Sequence, residues 1–549
     1  MTSSNIEQIP VHVVTMAYLI PSIIHRIEQN LIALDACKML ELDIQPDLAL
    51  EALTKDSENQ SEEDGRESGK AFEPINFQPG MGNNYERLEF LGDSFLKLAT
   101  TISIFTLIPN KDEFDYHVER MVMICNQNLF GNARSDWLKL EEYIRSKAFS
   151  RATWYPNLSL EFGKKHQRTL NNMDSHQLAD KSIADVCEAL IGAAYMSTRK
   201  DNDYTMAIQA VTRLTGHKHH PMMKWEDYYA AYQKPTWQIT AASAVELDMA
   251  KKIEDITNYK FKHPRLLRSA FVHPSRPYSL AKVPNYQRLE FLGDALLDMV
   301  CVDYLFHIAP DKGPQWLTEH KMAMVSNQFL GCLAVELGFQ KYLLHNGVLG
   351  QSILEYVTAI NDARRTAEDA AEAAGRPRSH FSRDYWIEAR QPPKCIPDVL
   401  EAYIGAMFVD SEYDYTTVQR FFKDHFQPYF GDMRIYDTFA NKHPVTFCTQ
   451  FIYAKFGCHA YGLHSEEMQI TDDEHIWTGS TKVAAGILIH GRVVEGAVRE
   501  SGGYAKVAAA RLAMQKLQKM TKEQFLEEYR CDCKLGEAVT DIAESATAI

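Results

Sequence analysis

The sequence predicts a mostly α-helical protein made of two copies of one helical unit, followed by a small α+β unit. Three observations carry that prediction. The segment YERLEFLGDSFLKL at 85–98 returns as YQRLEFLGDALLDM at 286–299. Apolar residues such as Leu88, Leu91 and Phe95 recur at helical spacing, while long strand-like alternation is scarce. Only past residue 440 does the pattern turn to helix, three strand-like stretches and helix.

The repeat reaches well beyond one motif. Glu89 and Glu290 stand 201 residues apart, and the same offset carries Asn126 of CNQNL onto Asn327 of SNQFL. Farther on, IADVCEALIGAAY at 183–195 matches IPDVLEAYIGAMF at 396–408, now at an offset of 213. The second copy therefore holds 12 additional residues, assigned to a surface loop around 363–383 that is rich in Ala, Arg and Glu. The first unit is read as 1–205, with opening helices and an acidic, solvated loop at 55–80, and the second as 251–432. Between them, 206–250 is a connector whose His217, His219 and His220 read as a solvated cluster. In the C-terminal unit, 440–535, a helix at Pro444 to Phe456 precedes strands around Tyr461–Met468, Val483–His490 and Val493–Arg499, then an alanine-rich helix from Gly502. Residues 536–549 read as a flexible tail.

Composition narrows the function. Acidic residues number 73 against 58 basic, a net charge of −15, and 45% hydrophobic with 24% charged residues is a globular balance. No run of about 18 uncharged apolar residues occurs, and Val11–Ile20 lacks a basic leader, so no membrane contact is expected and an intracellular placement, cytoplasmic or nuclear, is. Ten cysteines without a CxxC pair read as reduced thiols, Cys531 and Cys533 excepted. So acidic a chain does not suit a nucleic-acid binder, unless its acids hold cations that meet phosphates.

The acids are placed to do that. Glu89 and Asp93 are four residues apart and Asp185 and Glu188 three apart, so on helices each pair shares a face. Glu290, Asp294, Asp398 and Glu401 repeat every residue type and local spacing. One such pair alone would read as a solvated helix face. Here Leu88, Phe90 and Leu91 flank the acids and Gly92 permits close helix approach, so the face is expected to be partly buried. Crowded carboxylates in such a place need protons or a divalent cation. An all-oxygen set favours Mg²⁺ or Mn²⁺, with up to two ions per site, the arrangement suited to phosphodiester hydrolysis.

ERLEFLGDS and QRLEFLGDA, with IADVCEALIGA and IPDVLEAYIGA, resemble the two acidic signatures of the ribonuclease III family. The tandem pair followed by the helix-strands-helix unit resembles the C-terminal half of the fungal Dicer-like proteins; LIPSIIHRIEQNL at 19–31, LALEALT at 48–54 and YKFKHPRLLRSAFVHPS at 259–275 support this. The resemblance implies two all-helical ribonuclease III domains forming an intramolecular pseudo-dimer that works as a monomer, and a double-stranded-RNA-binding domain. It implies a Mg²⁺- or Mn²⁺-dependent endoribonuclease that cuts both strands of double-stranded RNA into short duplexes with 5′-phosphates and 3′ overhangs, for small-RNA production in RNA silencing. The alternative is a catalytically inactive RNA-binding or scaffold protein of the same fold, a class that loses its acids. Helicase and PAZ modules, in the same longer chain or in a partner, would set product length.

Residue by residue, the eight acids match the family's metal-binding and catalytic positions. Lys181 and Lys394 each stand four residues before the Asp, placed to meet a phosphate or leaving group. Gln287 replaces the Glu found at position 86 of the first copy, where the family usually has Glu. Lys506, Arg499 and Arg511 are the expected RNA contacts, with Lys516 as a further one; Gly502 and Gly503 stand where that module often has two lysines, implying a weaker grip. A structural zinc site of Cys458, His490, Cys531 and Cys533 is also implied; the spacing alone leaves His459, His464 or Cys448 as substitutes.

Overall fold

Where two long helices cross, the residues at the crossing set the distance, and in this chain those residues are glycines. The computed structural model describes residues 9–55, 82–146, 149, 178–387, 389–437, 439, 444–468, 482–499, 502–531 and 533. It divides into two compact units, Met1–Asp432 and Met433–Ile549. In the first unit, helix Glu86–Leu107 packs on helix Asp180–Thr198, and helix Gln287–Ile308 packs on helix Cys395–Asp410. A Cβ added to Gly92 would lie 1.8 Å from the Glu188 carbonyl oxygen, and one on Gly192 2.2 Å from that of Leu88. In the second copy the same test gives 1.8 Å from Gly293 to the Glu401 carbonyl and 2.3 Å from Gly405 to that of Leu289. Neither crossing has room for a methyl group.

Helix Glu86–Leu107 is long and apolar enough to cross a membrane, but 78% of the stretch that qualifies is buried inside this protein. Beyond its acid-bearing first half it is apolar on more than one side because two sides are covered: Asp180–Thr198 packs on one and the second copy's Gln287–Ile308 on another. The two copies thus pair through their signature helices, and the pairing is close to two-fold. Arg87 donates to the Phe306 and Ala309 carbonyls, both at 3.3 Å, and lies over the Phe306 ring. Arg288, its counterpart, donates to the Phe105 carbonyl at 3.4 Å and lies over the Phe105 ring. Each arginine therefore satisfies carbonyls left open at the end of the other copy's helix.

Other contacts occur at one end only. Arg199 donates to both carboxylate oxygens of Asp303, at 2.6 and 2.7 Å, and the Tyr195 hydroxyl joins them at 3.0 Å. The connector is part of the core, which corrects the expectation of a solvated histidine cluster. His220 is 1% exposed. Its Nε2 bonds the Tyr228 hydroxyl at 2.8 Å and its Nδ1 the Thr212 hydroxyl at 3.0 Å, and burial lowers its pKa to about 3. His219 pairs with Glu119 at 3.1 Å. Trp225 donates to the Tyr413 carbonyl at 2.8 Å, seating the connector on the second copy.

The surface loop expected around 363–383 is largely helix. Its part up to Ala373 is the end of the 24-residue helix Gly350–Ala373, with Arg364 bonded to Glu368 at 2.9 Å and also to Glu336. Alanine, arginine and glutamate are strong helix formers, and the helix runs until Gly375, at φ of 71°, and Pro377 stop it. The matching part of the first copy, the acidic loop beyond Lys55 and the tail 536–549 lie outside the described residues.

In the second unit, helix Pro444–Phe456 leads into β1 (Tyr461–Met468), β2 (Lys482–Ile489) and β3 (Arg492–Arg499), an antiparallel sheet in the order β1-β2-β3. His490 and Gly491, with φ of 48° and 74°, form the two-residue turn between β2 and β3. Helix Gly502–Leu517 follows; its buried Ala505, Ala509, Ala510 and Ala513 let its backbone lie close to the sheet. A further helix, Lys522–Tyr529, was not expected. Its Phe525 stacks on Phe456 with ring centroids 3.9 Å apart.

Candidate metal centres

The crossing helices bring acids from distant parts of the chain to one spot. Carboxylate oxygens of Glu89, Asp185 and Glu188 all lie within 4.8 Å of one another, as do those of Glu290, Asp398 and Glu401. The glycine crossings explain this, since the backbone of Glu188 sits against Gly92 and that of Glu401 against Gly293. Asp93 and Asp294, expected as fourth members, stand outside these tight sets. Asp294 is drawn instead to Lys97 of the first copy at 2.9 Å. Asp93 reaches solvent, and its surroundings include Lys321, Asp298, Lys97 and Arg120.

Crowding and burial shift these groups as bare carboxylates should be shifted. Burial and the charge of Asp185 raise Glu89 to about 7, and burial and Asp398 raise Glu290 to about 8. Glu188 and Glu401 lie well above the usual range, each through burial first and neighbouring acids second. Asp93 is raised too: although its tip reaches solvent, the protein mass around it outweighs the nearby lysines.

The sets are partly balanced by nearby donors. Lys394 donates to Glu290 at 2.9 Å and to Asp398 at 3.0 Å; Lys181 reaches Asp185 at 3.3 Å. Tyr286 donates to Oδ2 of Asp398 at 3.1 Å and Tyr85 to Oδ2 of Asp185 at 3.5 Å. The sequence reading missed these tyrosines, although each opens its copy of the repeated motif. Gln287 does not leave its place empty: it donates to Glu113 of the first copy at 2.7 Å. The buried Oε2 of Glu290 finds no hydrogen-bond donor among the described residues. Three crowded carboxylates with an unsatisfied buried oxygen are a donor set that fits a hard divalent cation.

In the second unit, Cys458, His490, Cys531 and Cys533 bring their ligand atoms within 4.8 Å of one another. Cys458 Sγ and Cys533 Sγ are each 3.5 Å from His490 Nε2 and 3.9 Å from each other. The β2–β3 turn presents His490, and Arg530, with φ of 50° at the helix end, turns the chain toward Cys531. His459, His464 and Cys448 are not in the group, and Cys448 is buried in the core. Of the expected RNA contacts, Lys506 is half-buried and Arg511 exposed, while the Arg499 side chain lies outside the described residues. Lys516 is engaged with Glu528 at 2.8 Å.

The ribonuclease III domain family matches residues 86–199 and 287–412, and the dsRNA binding domain family matches 436–519. The chain therefore carries two ribonuclease III domains followed by a dsRNA binding domain. Over nearly its whole length it is similar to part of the fungal Dicer-like proteins. It is 72% identical over 545 residues to Dicer-like protein 1 of Cryphonectria parasitica, covering 99% of this chain and 35% of that protein. Against Dicer-like protein 1 of Neurospora crassa the identity is 54% over 549 residues, covering 96% and 34%. The chain thus spans about a third of the length of these curated relatives. Among solved structures, a ribonuclease III nuclease domain from Campylobacter jejuni is 26% identical, covering 32% of this chain and 97% of that one, with a TM-score of 0.22.

Proposed function

We propose that the chain hydrolyses both strands of double-stranded RNA, one strand at each acid set, with Mg²⁺ or Mn²⁺, leaving short duplexes with 5′-phosphates and 3′ overhangs. The observation that carries this reading is the double convergence: two like sets of three carboxylates, each beside a lysine, on paired helices of one unit. Glu89, Asp185 and Glu188 hold the ion in one set, and Glu290, Asp398 and Glu401 in the other. A divalent cation supplies positive charge against the scissile phosphate and makes water a stronger nucleophile.

The chain's own residues do the remainder. The glycine crossings hold the acids at a spacing that one ion can bridge. Tyr85 and Tyr286 hold Oδ2 of Asp185 and Asp398 and so fix the orientation of those carboxylates. Lys181 and Lys394, exposed at the rims beside the acids, would meet the phosphate of a bound strand. Cys458, His490, Cys531 and Cys533 hold a structural zinc that ties the segment after Tyr529 to the sheet. The small-RNA products serve RNA silencing inside the cell.

The test is strand-resolved cleavage of a long duplex by the full chain, labelled separately on each strand. Glu188→Gln and Glu401→Gln should each leave nicked duplexes in which a different strand is spared, and the double variant should cut neither. A single variant that still cuts both strands would overturn the assignment of one strand to each set.

A further inference from the structure

The paired signature helices differ in charge at one place on their pseudo-two-fold axis, and that place lies against the second acid set. By the 201-residue offset, Lys97 of the first copy corresponds to Asp298 of the second, Ser94 to Ala295 and Arg120 to Lys321. Lys97 reaches across the pair to Asp294 at 2.9 Å and stands 4.0 Å from Asp298. Lys321, Lys97 and Arg120 also face Asp93, but among the described residues Asp93 makes no ion pair of its own. Asp298 is buried there and accepts from Ser94 at 3.0 Å and from Lys321 at 3.2 Å. Lys321, the second copy's cation nearest in role, is thereby committed to its own helix neighbour. One copy's lysine grips the fourth acid of the other copy's site, and a carboxylate occupies the matching place beside the first site.

We propose that Lys97 is a positioning residue for Asp294, acting across the pseudo-dimer, and that it makes the second acid set bind a divalent cation more weakly than the first. The ammonium competes with the cation for Asp294, whereas Asp93, equally outside its own 4.8 Å set, is held by no ion pair among the described residues. The ammonium also places a positive charge beside the space that the cation must enter. Lys97 is 22% exposed and Asp294 39%, so solvent screens the pair and the expected difference is about tenfold in affinity rather than many orders. The inference rests on the proposed cation binding at both sets.

The experiment is a Mn²⁺ titration of the full chain without RNA, followed by calorimetry, with Glu188→Gln used to identify the class that belongs to the second set. The wild-type chain should show two classes of site differing about tenfold. Lys97→Met should tighten the weaker class about tenfold and the other by clearly less, while Lys97→Arg should keep the wild-type ratio. Lys97→Gln provides a second neutral variant should Lys97→Met fail to fold, with melting temperature recorded for each. A ratio unmoved by loss of the charge, a change shared equally by both classes, or a single class in the wild type would overturn the inference. Absence of bound Mn²⁺ from the wild-type chain would instead bring down the cation reading, and this inference with it.

Discussion

Arg199 holds both oxygens of Asp303, at 2.6 and 2.7 Å, and so joins the last turn of helix Asp180–Thr198 in one copy to the signature helix of the other. Asp303 is buried, and the Tyr195 hydroxyl completes its shell. Removing the arginine strands a carboxylate away from water. Arg199→Ala should therefore lower stability by about 3 kcal/mol, more than the pair is worth as a pair. Adding Asp303→Leu should recover much of that loss, because the uncompensated charge goes too. Urea denaturation of the two variants checks this; equal stability of single and double variants would contradict it.

Gly92 and Gly293 occupy equivalent crossings, so their replacement should have equivalent effects on different sites. An added Cβ meets backbone, not a side chain that can swing aside. Gly92→Ala should cost about 3 kcal/mol and abolish cutting of the strand assigned to the first acid set. Gly293→Ala should do the same for the other strand. Strand-resolved cleavage with thermal melting gives the answer. Full activity in either variant would show that the helices can separate without loss of the site.

His220 provides an acid-sensitive joint away from the acids. Its pKa falls from 6.5 to about 3 through burial, so the unfolded chain binds a proton that the folded chain refuses. The stability this contributes is fully present above pH 6.5 and drains away as pH falls toward about 3. The slope in that window should be about 1.4 kcal/mol per pH unit from this residue. His220→Gln, which can still bond Tyr228 or Thr212, should be less stable at neutral pH but flatter below pH 6.5. Denaturation midpoints between pH 7 and 4 measure it; parallel pH curves for the two proteins would contradict the assignment.

Zinc should copurify with the chain at one ion per molecule in the second unit. Cys533→Ser should remove it, and a chelator should lower the melting temperature of the wild-type protein but hardly that of the variant. Cys448→Ser, which touches only the core, should retain the ion. Elemental analysis distinguishes these outcomes, and a metal-free wild-type chain would end the proposal.

Much of the site could be read from local spacing, because i,i+3 and i,i+4 acids on a helix share a face whatever the rest of the protein does. Gly92 could be read as a crossing point for the same reason. The pairing of Asp294 with Lys97 could not, since Lys97 belongs to the other copy and no spacing rule connects residues so far apart in sequence. Tyr85 and Tyr286 carried a usable signal, since the same residue opens both copies of the motif, but an aromatic beside a helix start usually means packing. Two helices were underread. Gly350–Ala373 has the composition of a strong helix former, and Lys522–Tyr529 is announced by the capping pair Thr521 and Gln524. The histidines of the connector looked solvated because their partners, Tyr228, Thr212 and Glu119, become neighbours only once the chain has folded.

Arg87 and Arg288 have a consequence for how the molecule comes apart. Each long helix is finished by a guanidinium borrowed from the opposite half, so neither half possesses a complete helix end of its own. Loss of one half exposes open carbonyls and a bare phenylalanine face on its sibling. The duplication is therefore mechanically indivisible: the halves should melt in one transition, and trimming away either should leave a remnant that clumps rather than a smaller working nuclease.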